Sequence, residues 1–292
     1  MQKFDLVFVS TCCNHEYIYK LVNSIVDNNH TLSVYLIIVN QDNDPIKNVT
    51  GTNNTTIKII EHNANVNTSI ARNIAIKHII ENNFNFDFLN FPDDDSSFDD
   101  SFFNEIHSKI LNKDFRNFII DVYCTGTKSF FRKVNYQNNK LLTKYDYNIV
   151  GAVNIVLNYK TFKNVLYFDT RFGVNAKYGA GEDGDYFIRA TEKGDFYYTN
   201  ELYNYHPSGE SKFKLFPYKK LRSRMVNYGI GVVALLSKHR MHKHAALLTF
   251  RALGGTVIYL VKGDFKISIT YFESFFVRLF YTLKFFIIKL EK

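Results

Sequence analysis

Residues 86–95 read Phe-Asp-Phe-Leu-Asn-Phe-Pro-Asp-Asp-Asp, a short apolar run that ends on a proline and three consecutive aspartates. A run of this length, closed by turn-forming residues, is a strand whose carboxyl end opens into the acidic stretch. The pattern repeats towards the N-terminus. Residues 4–11 (Phe-Asp-Leu-Val-Phe-Val-Ser-Thr) and 33–39 (Ser-Val-Tyr-Leu-Ile-Ile-Val) are continuous apolar strands, and residues 56–61 form a shorter one. Between them, Ile18, Leu21, Val22, Ile25 and Val26 fall at helical spacing within residues 16–28. Ala71, Ile74, Ala75, His78 and Ile79 do so within residues 69–82. On the other side, a helix is expected over 102–111 and strands over 118–124, 129–134 and 150–157. Strands and helices that alternate through residue 111 predict an α/β fold with a parallel sheet and helices on both faces. The less regular later strands make that sheet mixed.

In such a sheet, ligands bind outside the carboxyl ends of the strands. Those ends are Ser10-Thr11, Asn40-Gln41-Asp42 and Asp93-Asp94-Asp95. No strand is followed by a Gly-x-Gly-x-x-Gly turn or a Gly-Lys-Ser/Thr loop, which argues against a dinucleotide oxidoreductase and a P-loop nucleotidase. Three adjacent carboxylates repel one another, and Mg²⁺ or Mn²⁺ suits such hard oxygen ligands and in turn holds substrate phosphates. The competing reading is an exposed acidic loop ahead of a helix that Asp99 and Asp100 cap. A second cluster, Gly179-Ala-Gly-Glu182-Asp183-Gly-Asp185-Tyr, opens a helix running to about Lys193. Its acids either cap that helix or supply a general base. His206, beyond a further strand, is either a metal ligand or an ordinary histidine.

Charge is unevenly spread over the 292 residues, whose formal net charge is +8. Residues 206–292 hold 16 Lys and Arg against 4 Asp and Glu, a net of +12, which leaves −4 for residues 1–205. The basic part is also apolar and aromatic, which points to an anionic membrane surface. Its apolar residues are too dense for a solvated nucleic-acid groove, so no nucleic-acid partner is expected. Residues 271–290 are interrupted by Glu273, Arg278, Lys284 and Lys289, each costing about 2.5–3.5 kcal/mol at a bilayer centre. Residues 245–261 are short for a span and contain Gly254-Gly255. Helices lying in the interface fit better than helices crossing it; the alternative is that they cover an apolar face of the same chain. Three cysteines, two of them adjacent, argue for a reducing compartment rather than a secreted disulfide scaffold.

Taken together, residues 4–210 resemble the inverting family 2 glycosyltransferases of the GT-A fold. The resemblance rests on Phe168-Asp169-Thr-Arg-Phe172, on Gly181-Glu182-Asp183-Gly-Asp185-Tyr-Phe-Ile-Arg189, and on the aspartates after Phe91-Pro92, in that family's order and spacing. It implies a Rossmann-like, mostly parallel GT-A domain over residues 1–210 and a basic, apolar helical region over 211–292. It further implies a nucleotide-sugar donor, with Thr11 and Asp42 on base and ribose, Arg72 near the nucleotide, and Asp93 and Asp94 on sugar or ribose. By the same resemblance Asp95 and His206 ligate Mn²⁺ or Mg²⁺, Asp183 is the base that deprotonates the acceptor, and Glu182 supports it. Gln41-Asp42-Asn43-Asp44 departs from the family's Asp-Asp-Gly-Ser. The chain has no Trp, so the Gln-x-x-Arg-Trp signature of processive synthases is absent and a single addition is expected. The implied acceptor is a glycan or lipid-linked molecule in O-antigen, capsule or lipopolysaccharide assembly, at the cytoplasmic face of the membrane. A metal-dependent phosphohydrolase or nucleotidyltransferase, and a non-catalytic membrane-binding module, are the competing functions.

Overall fold

The computed structural model describes residues 2–131, 134–207, 216–288 and 290. The chain packs as two compact units, one of residues 1–168 with 186–209 and one of residues 169–185 with 210–292. The second unit therefore takes in residues 169–185, which the sequence groups with the first domain. The expected boundary at residue 210 lies outside the described residues.

The first unit is built on β1 (Lys3–Cys12), β2 (Val34–Asn40), β3 (Thr55–Glu61), β4 (Asn85–Asn90), β5 (Asn117–Cys124), β6 (Ser129–Phe130), β7 (Leu141–Leu142), β8 (Ile155–Asn158) and β9 (Phe196–His206). Among the described residues these form one nine-stranded sheet in the order β3-β2-β1-β4-β8-β5-β9-β7, with β6 on β5. The β3-β2-β1-β4 block and the β5-β9 pair are parallel, while β6, β7 and β8 run against their neighbours. The sheet is thus mixed and mostly parallel, the GT-A arrangement expected. Period-two alternation sends Leu6, Phe8, Leu36, Ile38 and Phe88 to one face. There they meet Ile18, Leu21 and Ile25 of α1 (His15–Asn28) and Phe102, Phe103 and Ile106 of α3 (Asp100–Leu111). On the other face Tyr35 stacks on and hydrogen-bonds His78 of α2 (Thr68–Glu81). Asn14, Asn67 and Asp99 cap these three helices, each accepting a backbone N–H from the first turn.

Two expectations fail locally. The strand predicted over 150–157 is confined to Ile155–Asn158, and 3₁₀ turns occupy Lys144–Ile149 and Ala152–Asn154. Asn154 explains this, because its side chain accepts the Gly151 N–H and donates to the Ile149 carbonyl, tying a turn that a strand cannot contain. The strand predicted over 129–134 extends only over Ser129–Phe130, and Arg132 and Lys133 lie outside the described residues. Residues 159–165, read as no element from the sequence, form helix α4 (Tyr159–Val165), whose Phe162 packs edge-on against Phe86.

The second unit contains α6 (Tyr218–Lys238), α7 (His242–Val261) and α8 (Phe265–Ile287). It also holds the loop 169–185, whose last residues form the first turn of α5 (Glu182–Thr191). Helices α7 and α8 meet through small residues. A Cβ on Gly255 would lie 2.5 Å from the Tyr271 ring, Ser268 Oγ donates to the Thr256 carbonyl, and Thr249 and Thr282 hydroxyls are 3.2 Å apart. By length and composition α7 is long and apolar enough to cross a membrane.

Candidate active site at the carboxyl edge of the sheet

Six strands point the same way, so the ends of β1, β2, β4 and β9 share one edge of the sheet. Beyond β4 the chain makes a tight turn in which Ser96 N–H donates to the Asp93 carbonyl at 3.0 Å. Ser97 then exchanges both backbone hydrogen bonds with Tyr205, at 2.9 and 2.8 Å. That bridge carries the aspartates back to the end of β9, where His206 follows Tyr205. His206 Nε2 lies 2.9 Å from Asp95 Oδ1 and 3.6 Å from Asp93 Oδ2. One ligand atom from each of Asp93, Asp95 and His206 falls within 4.8 Å of the others.

The electrostatics of this cluster are those of a carboxylate-rich site balanced by two cationic side chains. Burial works against the His206 cation, but the carboxylates of Asp93 and Asp95 beside it outweigh that and push its pKa up to about 9. Burial likewise works against the Asp93 anion, but His206 and Arg72 hold its carboxyl below the ordinary range. Asp94 behaves in the opposite sense: burial, then the like charges of Asp95 and Asp93, raise it to about 6. The Cys13 backbone, just past the end of β1, works the other way and lowers it, more weakly. Two carboxylate oxygens and an imidazole nitrogen form a donor set that suits Mn²⁺ or Mg²⁺. Asp93, expected on the sugar nucleotide, stands with Asp95 and His206 in this group.

The other expected residues of the sheet unit lie around the same edge. Thr11 is in the last turn of β1's pleat, one residue before Cys12, whose partner across the ladder is Asn40. The Cys12 thiol is pushed up to about 12, by burial first and then by Asp94 and, more weakly, Asp42, so both acids act on this end of β1. Arg72 is buried on α2, and its guanidinium lies 3.3 Å from Asp93 Oδ1 and 5.2 Å over the Phe168 ring. Next to it Asn73 binds the Phe168 backbone twice, at 2.9 and 2.8 Å, which anchors the start of the Phe-Asp-x-x-Phe stretch on α2.

Three asparagines do work that sequence reading missed. Asn40, fully buried at the end of β2, donates to Glu61 and to the Asp44 carbonyl and accepts from the Asp42 N–H, so it shapes the loop bearing Asp42. Asn90 and Asn204 both donate to the Val153 carbonyl, fixing the turn at 152–154 against the ends of β4 and β9. A buried asparagine at a strand end is the only clue the sequence offers, and this chain is too rich in asparagine for the clue to stand out.

Glu182 and Asp183 are half-buried in the first turn of α5, within the second unit. Asp185 in the same turn is wholly buried, held by Lys238 Nζ at 2.5 Å and His239 Nε2 at 2.8 Å. The glycines of this stretch allow close approach to α6. Gly181 has φ +100°, and an added Cβ there would come within 3.1 Å of the Gly231 carbonyl. A Cβ on Gly231 would meet the Ala180 backbone at 2.4 Å.

No family model matches the chain, and no curated protein matches it in sequence. The likeness is to solved structures, and it places the chain in the class of glycosyltransferase folds. Residues 1–349 of S. aureus TarS superpose with a TM-score of 0.53 at 13% identity, over 93% of this chain and 91% of that one. The same part of TarS in complex with UDP-GlcNAc gives a TM-score of 0.53 at 14% identity, over 78% of this chain and 66% of that one. A longer TarS structure gives 0.51 at 14% identity, over 80% of this chain and 43% of that one, so this chain spans less than half its length. Likeness at such identities is one of fold.

Proposed function

We propose that this chain moves one sugar from a nucleotide-sugar donor, a UDP-sugar, to a hydroxyl of a glycan or lipid-linked acceptor, with inversion and with divalent-metal assistance. The observation that carries the reading is the convergence of Asp93, Asp95 and His206 within ligand reach at the carboxyl edge of a glycosyltransferase fold. The UDP-GlcNAc and UDP complexes of TarS support a nucleotide-sugar donor. The family 2 motifs support inversion and a place in surface-glycan assembly.

In this reading Asp93, Asp95 and His206 hold Mn²⁺ or Mg²⁺, which when bound neutralises charge on the departing diphosphate. Arg72 keeps Asp93 in place and brings a fixed positive charge to the same edge. Thr11 and Asp42 take the base and ribose, and Asp94 the sugar or ribose. Asp183 accepts the proton of the acceptor hydroxyl as that oxygen attacks the anomeric carbon on the face opposite the nucleotide. The N-terminus of α5 favours the ionised carboxylate a base requires. Glu182 supports its placement, while Asp185, sealed by Lys238 and His239, is unavailable for proton transfer.

A second assignment concerns α7 and α8. They expose Phe250, Val257, Ile258, Phe272, Phe276 and Phe280 in a segment that also carries Lys243, Arg251, Lys262 and Lys284. Apolar side chains and excess positive charge together fit the interface of an anionic membrane, and the chain is proposed to act at its cytoplasmic face.

The test is a panel of sugar nucleotides scored for slow hydrolysis and for transfer, with Mn²⁺ or with EDTA. Release of UDP that falls by about 10²-fold or more on chelation is expected. In Asp95→Asn, metal-dependent UDP binding should be lost. Free phosphate or pyrophosphate as the product would instead mark a phosphohydrolase or nucleotidyltransferase.

A further inference from the structure

The loop 169–185 begins and ends on an aspartate, and one ammonium holds both. Lys238, in the last turn of α6, donates to Asp169 Oδ2 at 2.8 Å and to Asp185 Oδ1 at 2.5 Å. The same Asp185 oxygen lies 2.8 Å from His239 Nε2, and Arg171 grips Asp169 from within the loop at 2.6–3.0 Å. The Lys238 side chain is 2% exposed and that of Asp185 0%. Higher up α6, Gly231 lies against the backbone of Ala180, and Gly179 faces Asn227, where an added Cβ would lie 2.7 Å from the Asn227 Cβ. Tyr178 packs edge-on against Phe285 of α8. The loop body and its two ends are thus both fastened to the C-terminal helices.

We propose that Lys238 is a positioning residue for the Asp183 turn, an ammonium that closes the neck of the 169–185 loop by clamping Asp169 to Asp185. The inference rests on the reading of Asp183 as the base. A buried ion pair that only stabilises needs no particular place in the chain. This one joins the two ends of the loop, and Asp185 stands in the same helical turn as Asp183, two residues on. A carboxylate that must meet a hydroxyl in line with a leaving group tolerates little displacement: an error near 1 Å costs about 10²-fold in rate. Lys238 itself has no proton-transfer role. It donates to the carboxylates at both ends of the loop and acts through them.

The experiment uses the full chain as Lys238→Met, Lys238→Arg, Asp169→Asn and Asp183→Asn. Three quantities are read: amide exchange over residues 170–184, UDP binding in Mn²⁺, and kcat and KM on the sugar nucleotide that the panel selects. Lys238→Met should speed exchange in 170–184 by about tenfold or more and leave residues 3–111 unchanged. It should lower kcat by about 10- to 100-fold while UDP affinity and donor KM stay within about threefold. Lys238→Arg, which keeps the charge, should recover part of both losses. If Lys238→Met loses protection along the whole chain, it has unfolded; Asp169→Asn, which leaves Lys238 on Asp185, then carries the same comparison with a smaller effect. Unchanged exchange in 170–184, or normal kcat in Lys238→Met beside an impaired Asp183→Asn, overturns the clamp alone. Full turnover in Asp183→Asn removes the base assignment and the positioning role with it.

Discussion

In the sheet unit, α1 buries Ile18, Leu21, Val22 and Ile25 and leaves its polar side chains to solvent. In the helical unit, the more apolar α7 does the reverse: it buries Ala245, Thr249 and Ala252 and exposes Leu247, Phe250, Val257 and Ile258. Helix α8 follows α7 in part: it exposes Phe272, Phe276 and Phe280, and buries Ser268, Thr270 and Ser274 beside Ile267, Phe275 and Phe285. Among the described residues, more than half of the large apolar side chains left exposed lie between 242 and 288. Large apolar side chains are therefore not the whole of what holds α7 to α8. Small residues that let the backbones come close, the device used where the surroundings are themselves apolar, act beside aromatic contacts such as Tyr259 on Tyr271 and Phe250 on Phe275. The two units also differ in the chemistry assigned to them, with metal and nucleotide given to the sheet unit and the base to the helical one.

The largest effect should come from that division. Asp183→Asn keeps the size of the side chain but cannot accept a proton, so kcat should fall by about 10²–10⁴-fold with donor affinity nearly unchanged. Asp95→Asn should do the opposite, weakening metal-dependent UDP binding first. Parallel measurement of UDP affinity and turnover separates the two. Equal damage to both quantities in both variants would break the assignment of one task to each unit.

Next comes the contrast in burial. Phe102→Ala, in the core against Phe8 and Phe98, should destabilise the chain by about 3–5 kcal/mol. Phe250→Ala, at a position 59% exposed, should leave the melting temperature nearly unchanged and weaken sedimentation with anionic vesicles. High salt should weaken that sedimentation too, because each basic residue near the surface contributes about 1 kcal/mol before screening. A large loss of stability in Phe250→Ala, with no vesicle binding by the unmodified chain, would return these residues to an internal role.

The same contrast explains what was legible in the sequence. Strands β1 and β2 follow continuous apolar runs because burial on both faces demands them, and the bounds of all four strands in the β3-β2-β1-β4 block agree with the sequence reading to within a residue. The acidic turn after Phe91 and the group of short polar residues at strand ends were visible for the same reason, since topology alone places those ends together. The Lys238–Asp185 contact was not visible. Lys238 and His239 sit in a basic stretch that composition assigns to a membrane surface, and only tertiary packing sets that pair against a buried aspartate. The first part of the strand expected over 150–157 fails because Asn154 and Gly151 override the β-propensity of Val150 and Val153.

A pH series probes the helical unit's charge cluster. Burial works against the Asp169 anion, but hydrogen bonds from Arg171 and Lys238 outweigh it and hold its carboxyl far below the ordinary 3.8. A depressed carboxyl contributes stability that is fully present above its unfolded pKa and is lost as the pH falls from there towards the folded value. The unmodified chain should therefore be more stable than Asp169→Asn by on the order of 2–3 kcal/mol at pH 6. That margin should shrink below about pH 4. Other carboxyls add acid sensitivity of their own, so the difference between the two chains is the readout. A margin independent of pH would mean that the pair contributes shape rather than charge.

The smallest effects come from two glycines in helices of the same unit. Gly231 in α6 and Gly254 in α7 both carry the entropic cost of glycine in a helix, about 1 kcal/mol relative to alanine. At Gly254 an added Cβ would meet nothing within 4 Å, so Gly254→Ala should stabilise the chain by about 0.5–1 kcal/mol. At Gly231 the added atom would lie 2.4–2.8 Å from three backbone atoms of Ala180, which cannot swing aside as a side-chain tip would. Gly231→Ala should thus cost about 1–3 kcal/mol despite the gain in helix propensity. Because the displaced backbone leads into the Asp183 turn, kcat should fall with it, whereas Gly254→Ala should leave kcat alone. Denaturant midpoints and turnover for the two variants decide the matter: if both glycines respond alike, α6 is not packed on the 169–185 loop, and the helical unit is less ordered around its base than its geometry implies.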